Sequence, residues 1–234
     1  MLEKPPLLLL HGALGSARQL EPLATVLRQQ YAVHCFNFAG HGGQEDLPAP
    51  FSIARFALEL EAYLQAEGLK GLPVFGYSMG GYVALYLAAR QATFFTQILT
   101  LGTKFSWSPQ SAAREAGMLQ PEVVQEKVPH FAQMLARRHH PLDWRQLMEK
   151  TAAMMRSLGD RPALNQAMLS GLKLPVTIMR GSQDRMVSEE ESLQAAEWLP
   201  HGQFVTLAEQ PHPLEQLNIN LLVNEINKAL SGVA

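Results

Sequence analysis

Ser78 stands in Gly76-Tyr77-Ser78-Met79-Gly80-Gly81, directly after the apolar run Pro73 to Phe75 and before the helix-like stretch Tyr82 to Arg90. A G-x-S-x-G match alone is common, and the strand-turn-helix context is what gives it chemical meaning. On such a turn the serine is held strained at the top of a sheet. The flanking glycines are required because side chains there would collide with strand and helix. A serine hydroxyl is a weak nucleophile, so it needs a base, and the base needs a third group to orient it. Asp184 follows the apolar run Val176 to Arg180 in Gly181-Ser182-Gln183-Asp184, and His212 follows Phe204 to Leu207 in Ala208-Glu209-Gln210-Pro211-His212-Pro213. Both fall just past the carboxyl ends of predicted strands, where open parallel sheets place their sites. A Gly-rich turn without chemistry is the competing reading of the Ser78 segment.

Other residues compete for these roles less well. His201 precedes the last predicted strand and would sit at the amino edge of the sheet, while Asp143 and Asp160 read as a helix cap and a turn residue. After the run Gln97 to Leu101 come Gly102, Thr103 and Lys104, so that strand end offers no carboxylate. His130, His139 and His140 lack the spacing of a metal motif and read as solvated side chains. Cys35 reads as a small buried hydrophobe. Gly40, Gly42 and Gly43 miss the spacing of nucleotide-binding loops, so neither a cofactor nor a metal is expected.

The elements that must position these residues follow an alternating pattern. Strands are predicted at Leu7 to Leu10, Ala32 to Phe38, Pro73 to Gly76, Gln97 to Leu101, Val176 to Arg180 and Phe204 to Leu207. Helices are predicted near Ala17 to Gln30, Ile53 to Glu67, Met79 to Arg90, Glu189 to Trp198 and Leu217 to Leu230, with Ser52 as an N-cap and Gly68 just past a helix end. This is the rhythm of a doubly wound, mainly parallel sheet of six strands in three α/β/α layers. It breaks between Phe105 and Gly171, where four helix-like patches punctuated by Pro109, Pro121, Pro129, Pro141 and Pro162 follow without a strand. The expectation is a core domain of residues 1–104 and 172–234 with a helical lid, 105–171, inserted in it. The lid carries six methionines, suited to an adaptable apolar pocket. Counted from Lys104 to Gly171, the stretch also carries nine basic and six acidic residues, which could steer a mildly anionic substrate.

Composition closes off other classes. The 234 residues carry 19 Lys plus Arg against 21 Asp plus Glu, a net charge of −2, which argues against a nucleic-acid partner held by bulk charge. With 47% hydrophobic residues the chain can bury one large core. One cysteine leaves no disulfide framework and fits a reducing, cytoplasmic compartment. The N-terminal run from Met1 is too short and too interrupted for a signal sequence, and no apolar stretch reaches the ~18 residues of a membrane span.

Taken together, these motifs make the chain resemble the α/β-hydrolase superfamily, specifically its small lidded esterases, C-C hydrolases and haloperoxidase-like members. The resemblance runs along essentially the whole chain, through Leu10-His11-Gly12-Ala13-Leu14-Gly15-Ser16, Ala39-Gly40-His41-Gly42, the serine elbow, Gly159-Asp160-Arg161-Pro162, and the acid and histidine loops. It implies the α/β-hydrolase fold lacking its first two strands, and an oxyanion hole formed by the backbone N–H groups of Ala13 and Met79. His11 and His41 would then be structural. The chain departs from the family pattern at Asn37, at Tyr82 where an arginine holds a carboxylate in some members, and at Pro211 beside His212. The reaction so implied is hydrolysis of a small to medium carboxylic ester or thioester, with Ser78 as nucleophile, His212 as base and Asp184 orienting it. The alternatives are C-C bond hydrolysis or a lyase reaction on the same residues, or a non-catalytic receptor for a small ligand.

Overall fold

The computed structural model of the chain describes residues 4–45 and 49–232, so the sequence reading at Met1, Leu2 and Glu3 lies outside the described residues. Six strands form one sheet in the order β2-β1-β3-β4-β5-β6: β1 Pro6–Leu10, β2 Ala32–Phe36, β3 Leu72–Tyr77, β4 Phe95–Leu101, β5 Val176–Gly181 and β6 Gly202–Leu207. Every pairing is parallel. Helices on both sides complete the three-layer α/β architecture read from the sequence.

The four consecutive leucines of β1 show why this strand is central. Leu8 and Leu10 enter one core with Val74 and Ile98, while Leu7 and Leu9 enter the other with Phe75 and Leu99. A strand covered on both faces has no polar side, hence an unbroken apolar run. The first core is covered by α2 (Ile53–Ala66), α3 (Met79–Arg90) and α9 (Glu189–Trp198), the second by α1 (Glu21–Leu27) and α10 (Ile219–Ser231). Ser52 accepts from the Arg55 N–H at the start of α2, and Gly68 takes φ +65° after its end, so both terminators act as the sequence predicts.

The predicted helix Ala17 to Gln30 is instead a 3₁₀ turn, Ala17–Leu20, followed by α1, with Pro22 in its first turn. Proline lacks the N–H that would continue the preceding turn, so the chain restarts there. Between β4 and β5 lie five helices: α4 Pro109–Gly117, α5 Pro121–Lys127, α6 Pro129–His139, α7 Trp144–Asp160 and α8 Gln166–Gly171. Pro109, Pro121 and Pro129 each occupy a first helical position, where the missing N–H costs nothing. Leu135, Trp144, Leu147, Met148 and Leu158 of this stretch join the core that contains α3.

The direction of strand addition reverses at β1, which has β2 on one side and β3 on the other. In parallel sheets the crevice at the carboxyl ends beside such a reversal is where ligands bind. The loops leaving β1 and β3 therefore face each other at the most favourable point of the fold. No described helix is long and apolar enough to cross a membrane.

Candidate active site

Ser78 is the single residue between β3 and α3, with φ 50° and ψ −114°. A non-glycine residue in this region is strained by about 1–3 kcal/mol and persists only where its surroundings hold it. Those surroundings are visible on both sides of the peptide. Its N–H donates to Leu101 O at 2.8 Å, and its carbonyl accepts from Thr103 Oγ1 at 2.9 Å. A Cβ at Gly80 would lie 2.7 Å from both Leu10 O and His11 O, and one at Gly76 would run into the backbone of Gly81. The elbow is thus tight because β1, β3 and α3 converge on it, and the Ser78 side chain is left half-exposed.

Asp184 and His212 come from the loops after β5 and β6 and meet at 2.7 Å between Oδ2 and Nδ1. The other carboxylate oxygen accepts from the N–H groups of Met186 at 2.8 Å and Val187 at 3.0 Å. Burial would raise the Asp184 carboxyl, but the His212 bond and the two amides outweigh it and hold the group below its ordinary value. An ionised Asp184 makes His212 Nδ1 the donor, which leaves Nε2 with a lone pair. Gln183 N donates to Gln210 O, and Tyr77 Oη donates to His212 O at 2.9 Å, so the two loops are laced to each other and to β3. No hydrogen bond joins His212 to Ser78 Oγ among the described residues. Such contacts commonly tighten when substrate arrives. His201 lies at the opposite edge of the sheet, its carbonyl accepting from Val176 at the start of β5.

The loop after β1 carries Ala13, and neither its N–H nor that of Met79 has an acceptor among the described residues. His11 is buried in this loop. It accepts from Phe38 N–H through Nε2 at 3.3 Å and so donates from Nδ1 to Gly12 O at 2.8 Å. Burial pushes its pKa down to about 3, so it is a neutral structural ring. Beside Ser78 a narrow cavity of about 50 Å³ is lined by Lys104 and by mainly apolar residues that include Met79, Tyr82, Trp107 and Met155. Tyr82 presents ring rather than charge there, since its oxygen accepts the Leu164 N–H at 2.9 Å and burial pushes its pKa up to about 12.

Two expectations need correction. His139 is not a solvated residue. It is fully buried, accepting from Gly42 N–H at Nδ1 (3.0 Å) and therefore donating from Nε2 to Leu14 O (3.0 Å). Its polar partners are 97 and 125 positions away in the chain, so no local pattern could reveal them. Cys35 is half-buried on the edge strand β2, with its thiol pushed up to about 11 by burial, which leaves it a poor nucleophile.

The stretch Gly102-Thr103-Lys104, read only as lacking a carboxylate, contributes three times. Gly102 at φ +62° lets the His212 and Asp184 side chains close over it, because a Cβ there would lie 3.1 Å from the imidazole and 3.3 Å from Asp184 Oδ2. Thr103 holds the Ser78 carbonyl, and Lys104 lines the cavity. The sequence offers only a glycine opening the turn after β4, which does not reveal the groups that approach it.

Comparison with known proteins bears on the family and the fold. The family model described as alpha/beta hydrolase fold matches residues 5–163, more than half the chain, and the protein belongs to that family. It is 25% identical over 222 residues to "Putative carbamate hydrolase RutD" of Pseudomonas savastanoi pv. phaseolicola, covering 88% of this chain and 85% of that one. Against the RutD of Escherichia coli O17:K52:H18 the identity is 33% over 100 residues, spanning 42% of this chain and 36% of the relative. Among solved structures, the enol-lactonase from Burkholderia xenovorans LB400 superposes with a TM-score of 0.79 at 17% identity, covering 98% of this chain and 92% of its own. A thermophilic esterase from Thermogutta terrifontis does so with 0.79 at 20%, covering 99% and 91%. These two likenesses speak to the fold.

Proposed function

We propose that the protein is a serine hydrolase acting on a small to medium carboxylic ester or thioester. The observation that carries this reading is the strained Ser78 elbow at the same sheet edge as the His212–Asp184 pair. In the proposed reaction Ser78 Oγ attacks the substrate carbonyl as its proton passes to His212 Nε2. The carbonyl oxygen takes the negative charge and accepts from the Ala13 and Met79 N–H groups. Collapse of this intermediate breaks the bond to the leaving group, which receives the proton from His212, and leaves an acyl-Ser78 ester. Water, deprotonated by His212, repeats the sequence and frees the acid. Asp184 keeps His212 in the tautomer whose Nε2 can accept a proton and stabilises the imidazolium that forms.

Residues 105–171 act in this reading as a lid, since Trp107, just before α4, and Met154, Met155 and Leu158 of α7 supply one wall of the cavity beside Ser78. An apolar wall favours a compact acyl group and excludes water. The likeness to RutD favours a second reading, in which the carbonyl attacked belongs to a carbamate. Both readings are tested by turnover of p-nitrophenyl esters of increasing chain length beside a carbamate panel. Ester turnover that disappears in Ser78→Ala with the melting temperature unchanged is the expected result. Turnover undiminished in that variant would rule the proposal out.

A further inference from the structure

The last turn of α6 holds two reaction loops at once. Arg138, whose side chain is 12% exposed, donates from Nη1 to Leu14 O at 2.9 Å and from Nη2 to Glu215 Oε1 at 2.6 Å. Leu14 follows Ala13, and Glu215 lies three residues beyond His212. Leu14 has φ 58°, a conformation its side chain disfavours and its surroundings must hold; within the loop the Gly15 N–H donates to Gly12 O at 3.0 Å. The Leu14 carbonyl receives two donors from α6, Arg138 Nη1 and His139 Nε2. Glu215 is likewise held from two sides, because Gln19 Nε2 also donates to its Oε1 at 2.8 Å. Burial opposes ionisation of Glu215, but backbone and Arg138 hydrogen bonds prevail and keep its carboxyl below the ordinary value, so it is a charged acceptor.

We infer that Arg138 is a positioning residue whose planar fork, closed on Leu14 O and Glu215, fixes the Ala13 amide relative to the His212 ring. A guanidinium suits this work because its donors keep a fixed geometry, which an ammonium on a flexible stem cannot reproduce. Arg138 makes no hydrogen bond to Ser78, Asp184 or His212 among the described residues, so it acts through the two loops. The helical insertion is thereby a brace for the reacting edge as well as a cover. The inference rests on the roles proposed above for Ala13 and His212.

The test is steady-state turnover of p-nitrophenyl acetate by the full chain and four variants, with melting temperatures alongside. Arg138→Met should lower kcat by roughly 10- to 100-fold with KM within about twofold, the signature of lost alignment and not of lost binding. Arg138→Lys should recover part of that loss. Glu215→Gln, which keeps an acceptor but no charge, should fall between wild type and Arg138→Met. Arg137→Met, on the exposed face of the same turn, should match wild type. Unchanged kcat in Arg138→Met with an active wild type would overturn the inference alone. If Arg138→Met does not fold, wild-type kcat in both Arg138→Lys and Glu215→Gln would overturn it equally. A wild type that turns over no ester and takes no fluorophosphonate would overturn the hydrolase reading and this inference with it.

Discussion

At the scale of single residues, the site depends on atoms that are missing as much as on those present. Gly102 carries no functional group, yet a methyl there would press on the imidazole and carboxylate that must stay paired, in a left-handed conformation that alanine resists. Gly102→Ala should therefore reduce ester turnover by roughly 10- to 100-fold while the protein stays folded, since the neighbouring side chains need yield only a few tenths of an ångström. Steady-state kinetics with circular dichroism would check this, and wild-type kcat would show that the His212–Asp184 pair tolerates displacement. Ser78 could be read from the sequence because its glycines are local and its motif is short. Gly102 could not, because the groups that require it approach from loops more than 80 residues later. The same holds for His139, whose neighbours alone suggested a solvated face.

At the scale of elements, the strands were readable because both faces of the sheet are covered, which turns β1 into an unbroken apolar run and the other central strands into mostly apolar ones. Boundaries were less so: the break at Pro22 follows from its missing N–H, which the apolar periodicity does not show, and helix ends between β4 and β5 shift by a residue or two with packing. How the insertion meets the core was unreadable, and a histidine, His139, makes part of that contact. The His11, His41 and His139 rings lie in a row, with centroids 5.1 and 5.8 Å apart. Burial lowers all three, His11 to about 3, His139 to about 4 and His41 well below its ordinary value. A folded-state pKa below the unfolded one near 6.5 means that the unfolded chain binds more protons on acidification. The stabilisation from these neutral rings is thus complete above about pH 6.5 and is lost as pH falls from there towards 4. Melting temperature should drop through that window, before Asp184, whose carboxyl is depressed, begins to titrate. A flat profile from pH 6.5 to 4 would contradict the buried, neutral histidines.

At the scale of the whole molecule, one apolar cluster runs from the sheet through α3 into α6 and α7, so the insertion has no separate core on which to fold. Calorimetry should show a single transition with equal calorimetric and van 't Hoff enthalpies, and two resolved transitions would mean that residues 105–171 form an independent unit. The central claim is that this assembly makes Ser78 a nucleophile through His212. It is tested most directly by intact-mass measurement after a fluorophosphonate probe is added, with the adduct located by peptide mapping. The account predicts one adduct per chain, on Ser78, absent in Ser78→Ala and slowed by several orders of magnitude in His212→Ala but not in His201→Ala. An unlabelled protein, or an adduct on Ser78 that forms equally fast without His212, would contradict it.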